Sequence, residues 1–276
     1  MSRIVEKLQS QNIYPYASEQ ALRQEAHVAR FLAREYQSLI DKNISLNDLG
    51  FSPDHGTMFK EDNVTDKSHY DENIKIFESF LDTHYLAYTT AYYSEIPEEI
   101  TSSTLSLEKA QENKFRLICD RLGVEGREKI LNLGCGFGPF ERYLLQHFPQ
   151  IKLTGVNPSN VQTDYIRNCM ADPGCIFSSK NFNLIQKSFS ELIDEHVVPE
   201  SFDIVTSIGL LEHIQNISCF NERVAYYLKP GGKAFHHFIT SKMTIPQFLD
   251  VSQSLIGNYY PDGHIWPLLE LGRHTK

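Results

Sequence analysis

The chain has no long hydrophobic run. Within its 276 residues, no uninterrupted apolar stretch approaches the roughly 20 residues that a membrane-spanning helix needs. The N-terminal segment, MSRIVEKLQSQNIYPYASEQ, also has no apolar core of the length that a secretory signal peptide carries. We therefore expect no stable membrane insertion and a cytoplasmic location.

Positively charged residues are few. The sequence contains 26 Lys and Arg against 35 Asp and Glu, which gives a formal net charge of −9. The basic residues do not cluster into a stripe that could follow a phosphate backbone or dock on anionic lipid headgroups. This distribution argues against nucleic acid as a partner.

Cysteine is scarce as well, with five residues that form no C-x-x-C pair. Their odd number argues against a full disulfide framework, so we interpret them as reduced thiols. The 11 histidines lack H-E-x-x-H or a comparable ligand spacing, so we expect no metal site. Hydrophobic residues make up 41% of the chain, enough for one large α/β domain with an elaboration or for two small domains.

The most informative feature that is present is an apolar run followed by alternating glycines. The run KILNL at 129–133 leads directly into Gly134, Gly136 and Gly138, and Pro139 then fits the first position of a helix. Alternating glycines let the backbone approach a ligand with no Cβ in the way. A dinucleotide loop of the G-x-G-x-x-G type would have glycine where Pro139 stands, so a nicotinamide cofactor is disfavoured.

The order of the other segments predicts an α/β fold. Helical spacing indicates a long amphipathic helix over 18–42, a shorter one at about 71–84 and a third that Ser106 can cap and that ends at Leu122. Residues 43–70 are rich in Asn, Asp, Gly and Ser, which is typical of a connecting or mobile segment. Strand-like runs occur at 129–133, 151–156, 202–208 and 233–239. Strands that alternate with helices predict a doubly wound, mostly parallel Rossmann-like sheet whose ligand crevice lies at the carboxyl ends of the strands.

Several motifs after Leu86 resemble one family of enzymes in their order and their residues. They are YTTAYY at 88–93, SLEKAQENK at 106–114, ILNLGCGFG at 130–138, TGVNPSNVQ at 154–162, FDIVTSIGLLEHI at 202–214, LKPGG at 228–232, HHFIT at 236–240 and YYPDGHIWP at 259–267. The set resembles the cyclopropane-fatty-acid-synthase-like methyltransferases, a group of class I S-adenosylmethionine-dependent enzymes that includes benzylisoquinoline N-methyltransferases. The resemblance implies a methyltransferase domain over 86–276. Residues 1–85 lie outside the resemblance, and we expect them to form an N-terminal helical extension.

The resemblance also implies where the cofactor S-adenosylmethionine binds. Its methionyl half would contact Tyr88, Thr89, Gly134, Cys135 and Gly136. Its ribose would contact Asn157 and Gln162. Its adenine would contact Ser188, Phe189 and Ile208. Asn132, Asn157 and Ser188 are neutral at places where related enzymes commonly carry an acid. A methyltransferase-like domain that binds a partner without catalysis is therefore one alternative.

The E-H and H-x-I-T motifs supply the candidate catalytic residues. By resemblance, Glu212, His213 and His237 would face the reacting centre, where a carboxylate can hold an ammonium and an imidazole can take its proton. This chemistry suits methyl transfer to a small soluble nucleophile, and an amine is the preferred acceptor.

A second alternative is modification of a lipid acyl chain, as in cyclopropane synthases. Those enzymes grip a bicarbonate ion with the same glutamate and histidine, a cysteine of a Y-S-C motif and a tyrosine further along. Thr90 stands at the cysteine position, and the sequence stops at Lys276 before the segment that would carry the tyrosine, so we expect no such bicarbonate cage. The two strands that class I methyltransferases add after the fifth are also expected to be absent, and an open sheet edge would favour a homodimer.

Overall fold

The computed structural model describes scattered positions near the N-terminus and most of the chain from residue 69 to residue 241. The described residues are Glu19, Arg23, Ala26, Arg30, Ala33, Arg34, Gln37, Ser38, 40–43, 56–59, 69–96, 99–100, 103–241, 247–248 and 263–267.

A five-stranded parallel sheet forms the centre of the fold, in the order β3-β2-β1-β4-β5. Its strands are β1 Lys129–Leu133, β2 Lys152–Val156, β3 Phe182–Ile185, β4 Phe202–Ile208 and β5 Leu228–His237. Every pairing within this sheet is parallel, so the chain crosses over between strands. The predicted doubly wound α/β fold is confirmed, and strand β3 is an element that the hydrophobic runs did not predict.

Five α-helices have bounds within the described residues: α1 Ile74–Glu78, α2 Leu107–Leu122, α3 Pro139–His147, α4 Asn160–Ala171 and α5 Ile217–Tyr227. Ser106 caps α2 as predicted, because its side chain accepts a hydrogen bond from the backbone N–H of Lys109. Pro139 occupies the first turn of α3, where its missing N–H has no intrahelical partner to lose. None of the helices that the structure describes is both long enough and apolar enough to cross a membrane.

The core lies on both faces of the sheet. Ile130 faces a cluster that contains Phe115 of α2, whereas its neighbour Leu131 faces a cluster that contains Phe220 of α5. Alternating side chains on one strand point to opposite faces, and here both faces are covered by helices. Strand β1 is consequently buried on both sides, and its carboxyl end opens into the glycine loop.

The N-terminal region departs from its prediction in one respect. Residues 43–70 were expected to be a connecting or mobile segment, but Met58 and Phe59 are buried in the same cluster as Leu131. The carbonyl of Met58 also accepts a hydrogen bond of 2.8 Å from the backbone N–H of Gln215. Apolar contact and backbone pairing therefore bind this part of the segment to the sheet domain. The division at residue 85 stays a prediction.

The two helices expected in this region have different outcomes. Glu19, Arg30 and Asp41 have helical backbone, as predicted for 18–42, and the positions between them that are not described lie outside the comparison. The helix expected at about 71–84 is shorter than predicted, since α1 ends at Glu78. Asp82 follows it, and the carboxylate accepts a hydrogen bond of 3.0 Å from the backbone N–H of Ala87, which stabilises a turn instead of further helix.

Three short strands after β5 form a separate small sheet in the order β6-β8-β7. They are β6 Thr240–Ser241, β7 Gln247–Phe248 and β8 His264–Pro267. Trp266 of β8 is buried, and its indole N–H donates to the carbonyl of Ile214 at 3.1 Å. Most of 242–276 lies outside the described residues, so the absence of the two further strands and the homodimer stay predictions.

Candidate active site

A cavity opens at the carboxyl ends of β1, β2 and β4. The loop from Gly134 to Gly138 forms its floor, and the three glycines in that loop have φ values of 73°, 60° and 77°. A Cβ added to Gly136 would meet no atom within 4 Å, so this backbone faces open space in the cavity. The glycine loop therefore leaves room for a ligand to lie directly against the main chain.

The structure brings every predicted cofactor-binding residue to this one cavity. Its lining includes Tyr88, Thr89, Gly134, Cys135, Gly136, Asn157, Gln162, Ser188, Phe189 and Ile208. These residues come from five separate segments of sequence, and the parallel topology places four of the segments at the same edge of the sheet. The part of the cofactor that each residue contacts stays a prediction.

The polar residues at the end of β2 are bonded to one another. Asn157 Nδ2 donates to Gln162 Oε1 at 2.9 Å and to the carbonyl of Gly136 at 3.2 Å. Both side chains are buried, so a single amide ties the glycine loop to the first turn of α4. The neutral Asn157 thus has a positioning contact here in addition to its predicted contact with a ribose.

The two apolar residues predicted beside the adenine serve the core as well as the cavity. Phe189 is 3% exposed, and its ring packs edge-on against Phe220 of α5 at 5.5 Å between centroids. Ile208, at the end of β4, packs against the cluster on the other face of the sheet. Their cavity position and their core packing coexist, because each lies where the core meets the cavity wall.

Helix α2 holds the segment Tyr88–Thr90, of which Tyr88 and Thr89 line the cavity. Gln111 Nε2 donates to the carbonyl of Thr89 at 2.9 Å, and Lys114 Nζ donates to the carbonyl of Thr90 at 2.9 Å and to Gln111 Oε1 at 2.6 Å. Lys114 is buried, and this burial lowers its pKa to about 7. Sequence reasoning assigned no role to these residues, although the SLEKAQENK motif places them three apart, on one helix face.

The predicted pair Glu212 and His213 lies on a short 3-10 helix, Leu211–His213, directly after β4. Both side chains are buried, but they have different partners. Glu212 Oε1 accepts a hydrogen bond of 2.9 Å from the backbone N–H of Ile239, whereas His213 Nε2 lies 2.9 Å from the hydroxyl of Tyr70. His213 lines the cavity, and Glu212 is not part of the lining that the described residues form.

The carboxyl group of Glu212 is buried and only partly hydrogen-bonded within the described residues. Burial raises its pKa, and the hydrogen bond from Ile239 offsets this only in part. Within the described parts of the chain, Oε2 of this carboxylate has no hydrogen-bond partner. A buried acceptor without a partner is costly, so this oxygen is suited to bind an N–H group or a cation supplied by a ligand.

His237 ends strand β5 and faces the segment Tyr88–Thr90. Its Nε2 lies 3.5 Å from Thr90 Oγ1, and among the residues that the structure describes its Nδ1 has no partner. Burial, together with the charge of Lys114, lowers the pKa of His237 to about 4, so the imidazole is neutral at pH 7. The preceding His236 lies on the other face of the strand, where its ring packs against Phe220.

Similarity to known proteins identifies the family of this chain. A sequence model of the mycolic acid cyclopropane synthetase family matches residues 58–270, which is most of the chain. The chain belongs to this family. The match begins before Leu86, where the motif resemblance starts, and it includes the buried Met58 and Phe59.

Two curated relatives have names that indicate lipid substrates. Cyclopropane-fatty-acyl-phospholipid synthase of Escherichia coli strain K12 is 27% identical over 183 residues, which cover 66% of this chain and 42% of the relative. A probable fatty acid methyltransferase of Mycobacterium tuberculosis is 32% identical over 174 residues, which cover 62% of this chain and 36% of the relative. The chain thus spans less than half the length of these two relatives.

Among solved structures, coclaurine N-methyltransferase bound to N-methylheliamine and SAH has a similar fold. The TM-score is 0.67 at 18% sequence identity, and the alignment covers 99% of this chain and 68% of that chain. At this identity the likeness shows the fold. The central sheet and its flanking helices are those of the class I methyltransferases.

Tyr70 is a cavity residue that sequence reasoning missed. It lines the cavity, and its ring packs edge-on against Tyr88 and against His213. The next residue, Asp71, accepts hydrogen bonds from Ser159 Oγ at 2.7 Å and from the backbone N–H of Val161 at 3.3 Å, which fixes this turn to the start of α4. The only available signal was a short HYD sequence at the end of a polar stretch, and the family match that begins at residue 58 includes it.

Proposed function

We propose that this chain binds S-adenosylmethionine in the cavity and transfers its methyl group to a small soluble nucleophile, with an amine as the preferred acceptor. The observation that carries the proposal is that all the predicted cofactor-binding side chains line a single cavity beside Glu212 and His213. Membership of the family and the SAH bound to coclaurine N-methyltransferase support this choice of cofactor.

The residues present fit the cofactor's chemistry. Gly136 offers open backbone where a Cβ would otherwise project into the cavity, as the methionyl half requires. Asn157 Oδ1 can accept a hydrogen bond and Gln162 Nε2 can donate one, as ribose hydroxyls require. The ring of Phe189 and the side chain of Ile208 give the adenine an apolar surface. When bound, the cofactor supplies an electrophilic methyl group on a sulfonium.

The chain's own residues would then align the acceptor and handle its charge. Methyl transfer is an in-line displacement, and alignment alone can contribute about 7–11 kcal/mol to lowering the barrier. Oε2 of Glu212, which has no hydrogen-bond partner among the residues that the structure describes, can hold an amine N–H and stabilise the ammonium that forms. His213 can take the proton that the amine releases. The hydrogen bond between the Tyr70 hydroxyl and His213 Nε2 keeps the imidazole ring in one orientation.

Thr90 favours methyl transfer over cyclopropanation. Its hydroxyl faces His237 at 3.5 Å, at the position where the bicarbonate-gripping cysteine of a cyclopropane synthase would stand. A neutral hydroxyl in place of the thiol removes one of the groups that would complete the cage. The lipid substrates named for the curated relatives make acyl-chain modification the alternative that an experiment must separate.

The test is transfer of an isotopically labelled methyl group from S-adenosylmethionine. The purified chain is incubated with a panel of secondary and tertiary amines, and separately with phospholipid vesicles that contain unsaturated acyl chains. Fragmentation mass spectrometry then locates the label, and the Glu212→Gln variant is the matched control.

Label on an amine nitrogen, lost in the Glu212→Gln variant, supports the proposal. A ring carbon across a former acyl double bond, with activity that depends on bicarbonate, would replace the amine with the lipid. If the wild-type chain binds neither S-adenosylmethionine nor S-adenosylhomocysteine, the non-catalytic alternative holds.

A further inference from the structure

Glu141 is a fully buried carboxylate that the site described above does not use. It lies in the first turn of α3, where an acidic residue normally faces solvent and interacts with the helix dipole. Here its exposure is 0%, and its side chain faces the sheet. Oε1 accepts a hydrogen bond of 2.7 Å from Asn132 Nδ2, and within the described residues Oε2 has no partner.

Residues on three neighbouring strands orient the amide that binds this carboxylate and leave space for it. Thr206 Oγ1 donates to Asn132 Oδ1 at 2.9 Å, which turns the amide so that its NH₂ group faces Glu141. Gly155 pairs with Asn132 across β1 and β2, and a Cβ there would lie 3.3 Å from Glu141 Oε1 and 3.0 Å from Cys135 Sγ. The glycine therefore leaves the space that the carboxylate occupies.

The carboxylate lies directly behind the cavity wall. Asn132, which it contacts, lines the cavity, and so does Cys135, whose thiol lies beside it. Burial raises the pKa of Glu141 to about 7, and the hydrogen bond from Asn132 lowers it only in part. The pKa of the Cys135 thiol is also raised by burial, well above 9, so this neighbour carries no charge at neutral pH.

A purely structural role does not explain this choice of residue. Glutamine would accept the same hydrogen bond from Asn132 without the penalty of burying a carboxylate. No cation among the described residues is hydrogen-bonded to Glu141 to compensate the charge. A ligand that brings a positive charge into the adjoining cavity would compensate it.

We propose that Glu141, acting through Asn132, is a positioning residue whose carboxylate compensates the positive charge on the methionyl half of S-adenosylmethionine. This inference rests on the proposed function. The methionyl half carries an ammonium group, a sulfonium and a carboxylate, so its net charge is +1. The acid that relatives commonly carry at the position of Asn132 is thus replaced by one on the facing helix, a single hydrogen bond away.

The test removes the negative charge from position 141 and then places it at position 132. Glu141→Gln removes the charge and keeps an acceptor for Asn132, whereas Asn132→Asp combined with Glu141→Gln returns the charge to the strand and keeps the hydrogen bond. Glu108→Gln is the matched control, because Glu108 is a glutamate in the first turn of α2 but is not among the buried residues of that helix. Calorimetric titration with S-adenosylmethionine and with S-adenosylhomocysteine gives the affinities, and thermal unfolding at pH 8 gives the stability.

We expect Glu141→Gln to weaken cofactor binding roughly tenfold, which corresponds to about 1.4 kcal/mol. The same variant should unfold at a higher temperature than the wild type at pH 8. The exchanged double variant should recover most of the affinity, and Glu108→Gln should bind as the wild type does.

The outcomes separate the inference from the proposed function. Wild-type protein that binds no cofactor overturns both. Wild-type protein that binds, with Glu141→Gln binding equally well, overturns the inference alone. A Glu141→Gln variant that loses stability and affinity together, without recovery in the double variant, assigns Glu141 a structural role and also overturns the inference.

Discussion

Replacing Gly136 with alanine should separate cofactor binding from folding. Gly136 has φ = +60°, and a Cβ built there meets nothing within 4 Å, so the methyl group would project into the cavity and not into the core. A non-glycine residue in this left-handed region costs about 1–2 kcal/mol in stability. The neighbouring Gly138 would be a poorer choice, since its Cβ would lie 2.7 Å from Phe177 Cζ and would disturb packing as well.

Gly231 provides the matched control for this substitution. It has φ = +80°, also has nothing within 4 Å of an added Cβ, and lies near the start of β5, away from the cavity at the carboxyl ends of the strands. Gly136→Ala and Gly231→Ala should therefore lower the unfolding free energy by the same amount, about 1–2 kcal/mol, or a few degrees in Tm for a chain of this size.

Calorimetric titration with S-adenosylhomocysteine distinguishes the two variants. Only Gly136→Ala should lose affinity, by about tenfold or more, because the added methyl group would occupy the space in which the ligand lies against the main chain, and a tenfold loss corresponds to about 1.4 kcal/mol. Equal affinity of both variants for the ligand would refute the placement of the cofactor against the glycine loop.

Three further predictions concern individual side chains. Tyr70→Phe keeps the ring but removes the hydrogen bond to His213, so turnover should fall several-fold while cofactor affinity stays within about twofold in steady-state and titration measurements. Glu212→Gln retains an acceptor for Ile239 but not the charge, so turnover on the identified amine should fall roughly 10²-fold, and full activity would show that Glu212 is structural. Glu141 has its pKa raised from 4.5 to about 7, so the stability that it contributes is fully present below about pH 4.5 and is lost as the pH rises through 7. The difference in unfolding free energy between wild type and Glu141→Gln should therefore change by about 3 kcal/mol between pH 4.5 and pH 8 in urea titrations, and a constant difference would contradict the burial argument.

The parts of the fold that sequence could predict are those with a strong local signal. Strands β1 and β4 coincide with the strand-like runs predicted at 129–133 and 202–208, and α2 begins after Ser106 and ends at Leu122 as its cap and periodicity indicate. Strand β3 was missed because Phe182–Ile185 is short, lies at the sheet edge and is only partly buried, so its apolar pattern is weak.

The site shows the same division between local and tertiary information. The predicted cofactor-binding residues other than Tyr88 and Thr89 come from segments at the carboxyl ends of strands, so the parallel topology brings them together once the fold is known. Tyr70 and Glu141 could not be found in this way. Tyr70 reaches the cavity only because Asp71 is bonded to the start of α4, and Glu141 reaches Asn132 only because Gly155 leaves space on the neighbouring strand. Both depend on contacts between residues distant in sequence.

A crystal structure of the chain with S-adenosylhomocysteine tests the central claim most directly. The account predicts electron density for one ligand in the cavity, with its amino acid end against Gly134 and Gly136, its ribose at Gln162 and its adenine beside Phe189. Density for the ligand outside this cavity, or in the reverse orientation within it, would contradict the account.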